Sequence, residues 1–73
     1  MNLEKEEFIR KLGLNIRDER EKKGLSLEAL AFKAGIDYSQ LSRIENGKIN
    51  TSVFSIYNIA LGLEIPITQL FLF

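Results

Sequence analysis

Two short apolar-patterned stretches either side of one glycine constrain this chain more than any other feature. Ser26 precedes Leu27-Glu28-Ala29-Leu30-Ala31-Phe32-Lys33-Ala34, and Gly35 follows at once. The serine fits an N-cap, where its hydroxyl accepts a hydrogen bond from an orphan backbone amide. Gly35 then closes that helix after barely two turns. Asp37 opens another helix, with Gln40 three residues on in a capping-box pattern, and Leu41 and Ile44 share one face before Asn46-Gly47 ends it. Two helices joined by so short a turn pack at a steep angle only where residues near the crossing are small. Ala31, four positions before Gly35, is such a residue. Gly35 takes a positive backbone dihedral at low steric cost, which lets the chain bend sharply. Leu30, Ala34, Ile36, Leu41 and Ile44 are then expected to fill the wedge between the two helices.

The remainder of the chain reads as three more helices. The first is expected from about Glu4 to Lys22, with Phe8, Ile9, Leu12 and Ile16 at helical spacing and a dense set of charges elsewhere, ordinarily a solvated face. Gly24 follows its basic last turn. Lys48-Ile49-Asn50 is a polar connection, and Thr51 or Ser52 caps a helix whose stripe is Val53, Ile56, Ile59, Ala60 and Leu63. Pro66 suits the first turn of a short fifth helix holding Leu70 and Phe71. No segment alternates long enough for a strand. The expectation is an all-α, compact bundle of five short helices, forming one domain over residues 1–73.

Composition removes several function classes. The chain has 73 residues, no cysteine and no histidine, so thiolate chemistry, the usual zinc ligands and a histidine base are all missing. No cofactor, metal site or enzymatic activity is expected. Met1 to Arg10 carries alternating charge in place of an apolar leader, and no run approaches the roughly 18–20 apolar residues of a membrane span; a cytoplasmic protein is expected. Ten basic and ten acidic residues cancel, which runs against the usual basic signature of a nucleic-acid binder. Distribution is uneven, however: both signs crowd the first 25 residues, whereas Glu64 is the single charge from Thr51 onward.

Ala31, Gly35 four residues later, and Leu41 and Ile44 six and nine beyond the glycine form a pattern that resembles the helix-turn-helix of phage repressors and Cro proteins, the Xre-like family. Ile16 to Ser26 is similar to that family's first helix and its exit, Leu41-Ser42-Arg43-Ile44-Glu45-Asn46-Gly47-Lys48 to the end of its reading helix, and Ile59 to Leu63 followed by Leu70-Phe71 to its closing helices. The resemblance covers about Leu12 to Phe71. It implies a lambda-repressor-like DNA-binding domain, with the motif at about 26–45 and a reading helix at about 38–46 lying in the major groove.

Carried over position by position, the resemblance implies that Tyr38, Ser39, Ser42 and Arg43 face base edges, Arg43 with a fork suited to guanine O6 and N7. Phosphate contacts are expected from Asn46, Gly47, Lys48 and Asn50, and from Ser26 on the other flank. Arg20 and Glu45 are implied to pair structurally, taking the glutamate out of the DNA-facing potential and leaving Arg43, Lys48 and Lys33 toward DNA. Leu27 departs from the family, which usually has glutamine there. The apolar tail from Val53 to Phe73 exceeds what so small a domain should bury, so a homodimer through the C-terminal helices is expected. Three readings stand at this point: an operator-binding transcriptional regulator of double-stranded DNA, an antitoxin whose tail is covered by a toxin, and a helical interaction module that has lost DNA binding.

Overall fold

A computed structural model describes residues 3–73. Four α-helices, α1 (Leu3–Lys22), α2 (Leu27–Ala34), α3 (Tyr38–Glu45) and α4 (Val53–Leu63), are followed by a 3₁₀ turn at Ile67–Phe71. The architecture is all-helical, and the expected fifth helix is this 3₁₀ turn. Pro66 lies just outside it in an extended conformation, φ −63° and ψ 143°. A side chain from α1 holds the turn: Asn15 Nδ2 donates to the carbonyls of Gln69 at 3.1 Å and Leu70 at 2.8 Å.

The four helices stop in the same way. In each, the residue after the last turn is left-handed, and two amides fold back onto the preceding carbonyls. At the end of α1, Leu25 N–H donates to Arg20 O and Gly24 N–H to Glu21 O; after α2, Ile36 donates to Ala31 O and Gly35 to Phe32 O. The pattern repeats at Gly47–Lys48 and at Glu64–Ile65. This double closure satisfies carbonyls that a helix end otherwise leaves open, and it normally seats an apolar residue after the turn. Leu25, Ile36 and Ile65 do pack against the core in that position. Lys48 does not; it is exposed. The α4 stop is also irregular, because Glu64 takes φ 59° where the other three stops have glycine.

The helix starts follow their caps in two of three cases. Ser26 Oγ accepts from Ala29 N–H at 3.0 Å, and Ser52 Oγ from Ser55 N–H at 3.1 Å. Asp37 occupies the N-cap of α3 but makes no capping hydrogen bond, so the capping box expected with Gln40 is not formed. Asp37 is exposed, as are Ser26 and Ser52, which do cap their helices, so exposure does not account for the difference.

One core joins the elements. Leu12 and Ile16 of α1, Leu30, Ala31 and Ala34 of α2, Leu41 and Ile44 of α3, four residues of α4 and Leu70 are all buried. Two glycines set how closely the helices approach. A Cβ at Gly62 would lie 3.1 Å from Leu30 Cδ1 and 3.2 Å from Ala34 N, bringing α4 onto α2. A Cβ at Gly13 would collide with the carbonyl oxygens of Ile44 and Glu45, so α1 lies directly on the last turn of α3. Phe8 stays half-exposed on α1, with Phe71 stacked at 6.3 Å and Phe73 at 5.4 Å between ring centroids. Among the described residues no helix is long and apolar enough to cross a membrane.

Candidate nucleic-acid interface

The α2–α3 pair is set by Ala31 and Gly35. Ala31 is buried at the crossing, and Gly35 takes φ 67° with nothing within 4 Å of where its Cβ would stand. The requirement at Gly35 is therefore the dihedral and not the space. Leu27 is half-buried and packs on the core.

The bend leaves α3 with two unlike faces. Leu41, Ile44 and Glu45 point inward and are buried. Tyr38, Ser39 and Arg43 are exposed and Ser42 is half-buried. Two side-chain rungs run along the outer face at one-turn spacing. Arg43 Nη2 reaches Ser39 Oγ at 3.5 Å, the outer limit of a hydrogen bond, so its guanidinium is nearly free. Asn46 Nδ2 donates to Ser42 O at 2.9 Å and approaches Ser42 Oγ at 3.4 Å. Ser39, Ser42, Arg43 and Asn46 are thus brought together on one surface. Lys48 continues it, exposed and without an ion pair among the described residues. Gly47 packs beside α1. Among the described residues no hydrogen bond ties Asn50 or Ser26 to that surface; Ser26 sits at the start of α2 with its hydroxyl occupied as a cap.

Behind the outer face lies a buried carboxylate. The Glu45 side chain is 2% exposed and that of Arg20 14%. Arg20 Nε donates to Glu45 Oε2 at 2.8 Å and Nη2 to Oε1 at 3.1 Å, a two-pronged pair, while Nη1 donates to Leu25 O at 2.9 Å. The hydrogen bond to Glu45 raises the Arg20 pKa above the ordinary arginine value, outweighing the opposite pull of burial. The glutamate's charge is consequently neutralised inside the fold. Lys33, expected toward DNA, instead lies 3.5 Å from Glu64 on the α4 side, so it does not add to the α3 surface.

The expectations from sequence omit one residue that the geometry adds. Arg17 Nη2 donates to Asn46 Oδ1 at 2.6 Å, and its Nε lies 3.5 Å from Glu45 Oε1. A signal was available: Arg10, Arg17 and Arg20 share a stripe of α1 with Gly13, at spacings of three, four and three residues.

The fold described has counterparts in known proteins. The helix-turn-helix family matches residues 16–70. The HTH-type transcriptional regulator SlrR of Bacillus subtilis is 39% identical over 61 residues, which is 82% of this chain and 40% of SlrR. The control protein C.MunI of a Mycoplasma species is 40% identical over 52 residues, 71% of this chain and 70% of that protein. The crystal structure of the restriction-modification controller protein C.AhdI from Aeromonas hydrophila superposes with a TM-score of 0.85 at 40% identity, covering 86% of this chain and 96% of that one. The chain therefore spans less than half of SlrR but nearly all of C.AhdI.

Proposed function

The chain belongs to the Xre-like helix-turn-helix family, and from that premise we propose that it regulates transcription by reading an operator in double-stranded DNA as a homodimer. The observation that carries this reading is the division of α3. Its inner face is locked by Leu41, Ile44 and the Arg20–Glu45 pair, while Tyr38, Ser39 and Arg43 stand exposed and Ser42 half-buried on the outer face. Those four residues face base edges. Arg43 reads guanine, because its two parallel donors match O6 and N7. Asn46, Gly47, Lys48 and Asn50 meet the phosphate strand beyond the reading helix, and Ser26 meets it at the start of α2.

Two copies are supported by α4. Val53, Phe54, Tyr57 and Leu61 are exposed on it, with Phe54 and Tyr57 stacked at 6.5 Å. From Thr51 to Phe73 the single charge is Glu64, so two copies meeting through this face encounter little like-charge repulsion. A two-fold pair sets its reading helices about 34 Å apart on successive major grooves. A second copy covers this surface without invoking a toxin. The whole operates as one domain inside the cell.

Selection of bound duplexes from a random pool tests the reading, with sedimentation measuring the protein's mass. A palindromic site with half-sites about one helical turn apart, bound by a dimer, is the expected result. Absence of duplex binding at low salt refutes the reading and leaves the chain as an interaction module.

A further inference from the structure

The arginine stripe of α1 lies against the end of the reading helix. Gly13 brings the backbones into contact, and a Cβ on Gly47 would stand 3.0 Å from Arg10 Cα. Arg20 is committed to Glu45. Arg17 is not committed in the same way: its side chain is 35% exposed. Glu45 already accepts two hydrogen bonds from Arg20. The second guanidinium therefore leaves the Arg17–Arg20–Glu45 cluster with one positive charge in excess. On α1, Asp18 and Glu21 are exposed and form no ion pair with Arg17, although the charge of Glu21 is felt by Arg20; Glu7 is shared by Arg10 at 3.7 Å and Lys11 at 3.8 Å.

Asn46 fixes where that excess charge sits. Its Nδ2 caps Ser42 O while its Oδ1 accepts from Arg17 at 2.6 Å, which holds the guanidinium beside the last turn of α3. A helix C-terminus presents carbonyl oxygens, whose partial negative charge repels a phosphate. A cation held at that end offsets the repulsion, and one already ordered loses less conformational freedom on binding.

We propose that Arg17 is a phosphate-binding residue of the DNA interface, clamped by Asn46 and supplying charge where the reading helix ends against the backbone strand. This inference rests on the DNA-binding reading above. Affinity for a random-sequence duplex, titrated against salt, tests it. Arg17→Lys keeps the slope of log K against log[salt]; Arg17→Gln, which retains an N–H for Asn46 but no charge, flattens it by about 0.9 per protomer. Asn46→Ala lowers affinity and keeps the slope, since the charge remains. An unchanged slope in Arg17→Gln, or an equal loss in Asn46→Ala, overturns the inference while wild-type binding stands. A wild-type protein that binds no duplex overturns the functional reading and this inference with it.

Discussion

Replacing Arg20 by alanine strands a carboxylate. Glu45 is 2% exposed, and the substitution removes both hydrogen bonds that Arg20 gives it, together with the bond to Leu25 O at the α1–α2 turn. What remains is Arg17 Nε at 3.5 Å, on a side chain whose shortest contact is to Asn46. Breaking a buried pair by deleting one partner costs about 3–5 kcal/mol. Arg17's residual attraction points to the lower end, about 3 kcal/mol. A domain of 73 residues is stable by roughly 4–11 kcal/mol in all, so the loss is a large fraction of it. Thermal unfolding followed by circular dichroism should fall by about 12–24 °C, at roughly 4–8 °C per kcal/mol. Arg20→Met combined with Glu45→Leu removes both charges and should recover most of the loss, since apolar pairs of similar volume replace buried ion pairs at little cost. The sign of the pH dependence follows from the raised Arg20 pKa. The guanidinium's charge is full below the ordinary arginine range and fades only as pH climbs through the raised value, so Arg20 gives no loss of stability across mildly alkaline buffers. An Arg20→Ala loss below about 1 kcal/mol, the range of an exposed pair, would refute the argument from burial.

Other substitutions probe separate links. Glu64→Gly should stabilise by about 0.5–1 kcal/mol, because a left-handed L-residue costs roughly 1–2 kcal/mol and the exposed pair with Lys33 is worth less than that; a lower melting temperature would contradict it. Gly13→Ala gains about 1 kcal/mol of helix propensity yet should destabilise the fold by about 1–3 kcal/mol net, since its Cβ falls on the Ile44 and Glu45 carbonyls; chemical denaturation reads the sign. In DNA binding, Arg43→Ala should cut discrimination at one base pair by about 1–3 kcal/mol, whereas Lys48→Ala should weaken all duplexes alike. Intact base preference in Arg43→Ala would remove that residue from base reading.

The helices were legible where the chain carries its own punctuation. Gly24, Gly35 and Gly47 mark three stops, and Ser26 and Ser52 mark two starts, because caps and left-handed turns are local events that depend on one residue type. Glu64 was not legible as a stop, because nothing in its side chain favours the positive φ it adopts. The last element was placed by sequence, but its 3₁₀ form was not legible. Its 3₁₀ form is held by Asn15, more than fifty residues away in sequence, a contact that no local pattern reports. Asp37 and Gln40 show the opposite failure. A capping-box pattern was present and its hydrogen bond was not, although the equally exposed Ser26 and Ser52 do cap their helices.

Charge is where composition misleads most. A chain with ten residues of each sign has no bulk attraction for a polyanion, yet attraction depends on which charges face the partner. Glu45 is withdrawn behind α3 by Arg20, Glu19 is buried beside Gln69 and Lys22, and Glu64 is turned toward Lys33. Arg43, Lys48 and Arg17 remain open along α3 and its end, with Asp37 the acid at the opposite end of that helix. The α1 charges that read as a merely solvated face therefore divide by helical angle. One stripe, set against α3 by Gly13, makes the end of the reading helix positive, and the zero sum is kept by acids elsewhere on the molecule. A net charge constrains such a protein's solubility; the register of arginines relative to one packing glycine constrains what it can hold.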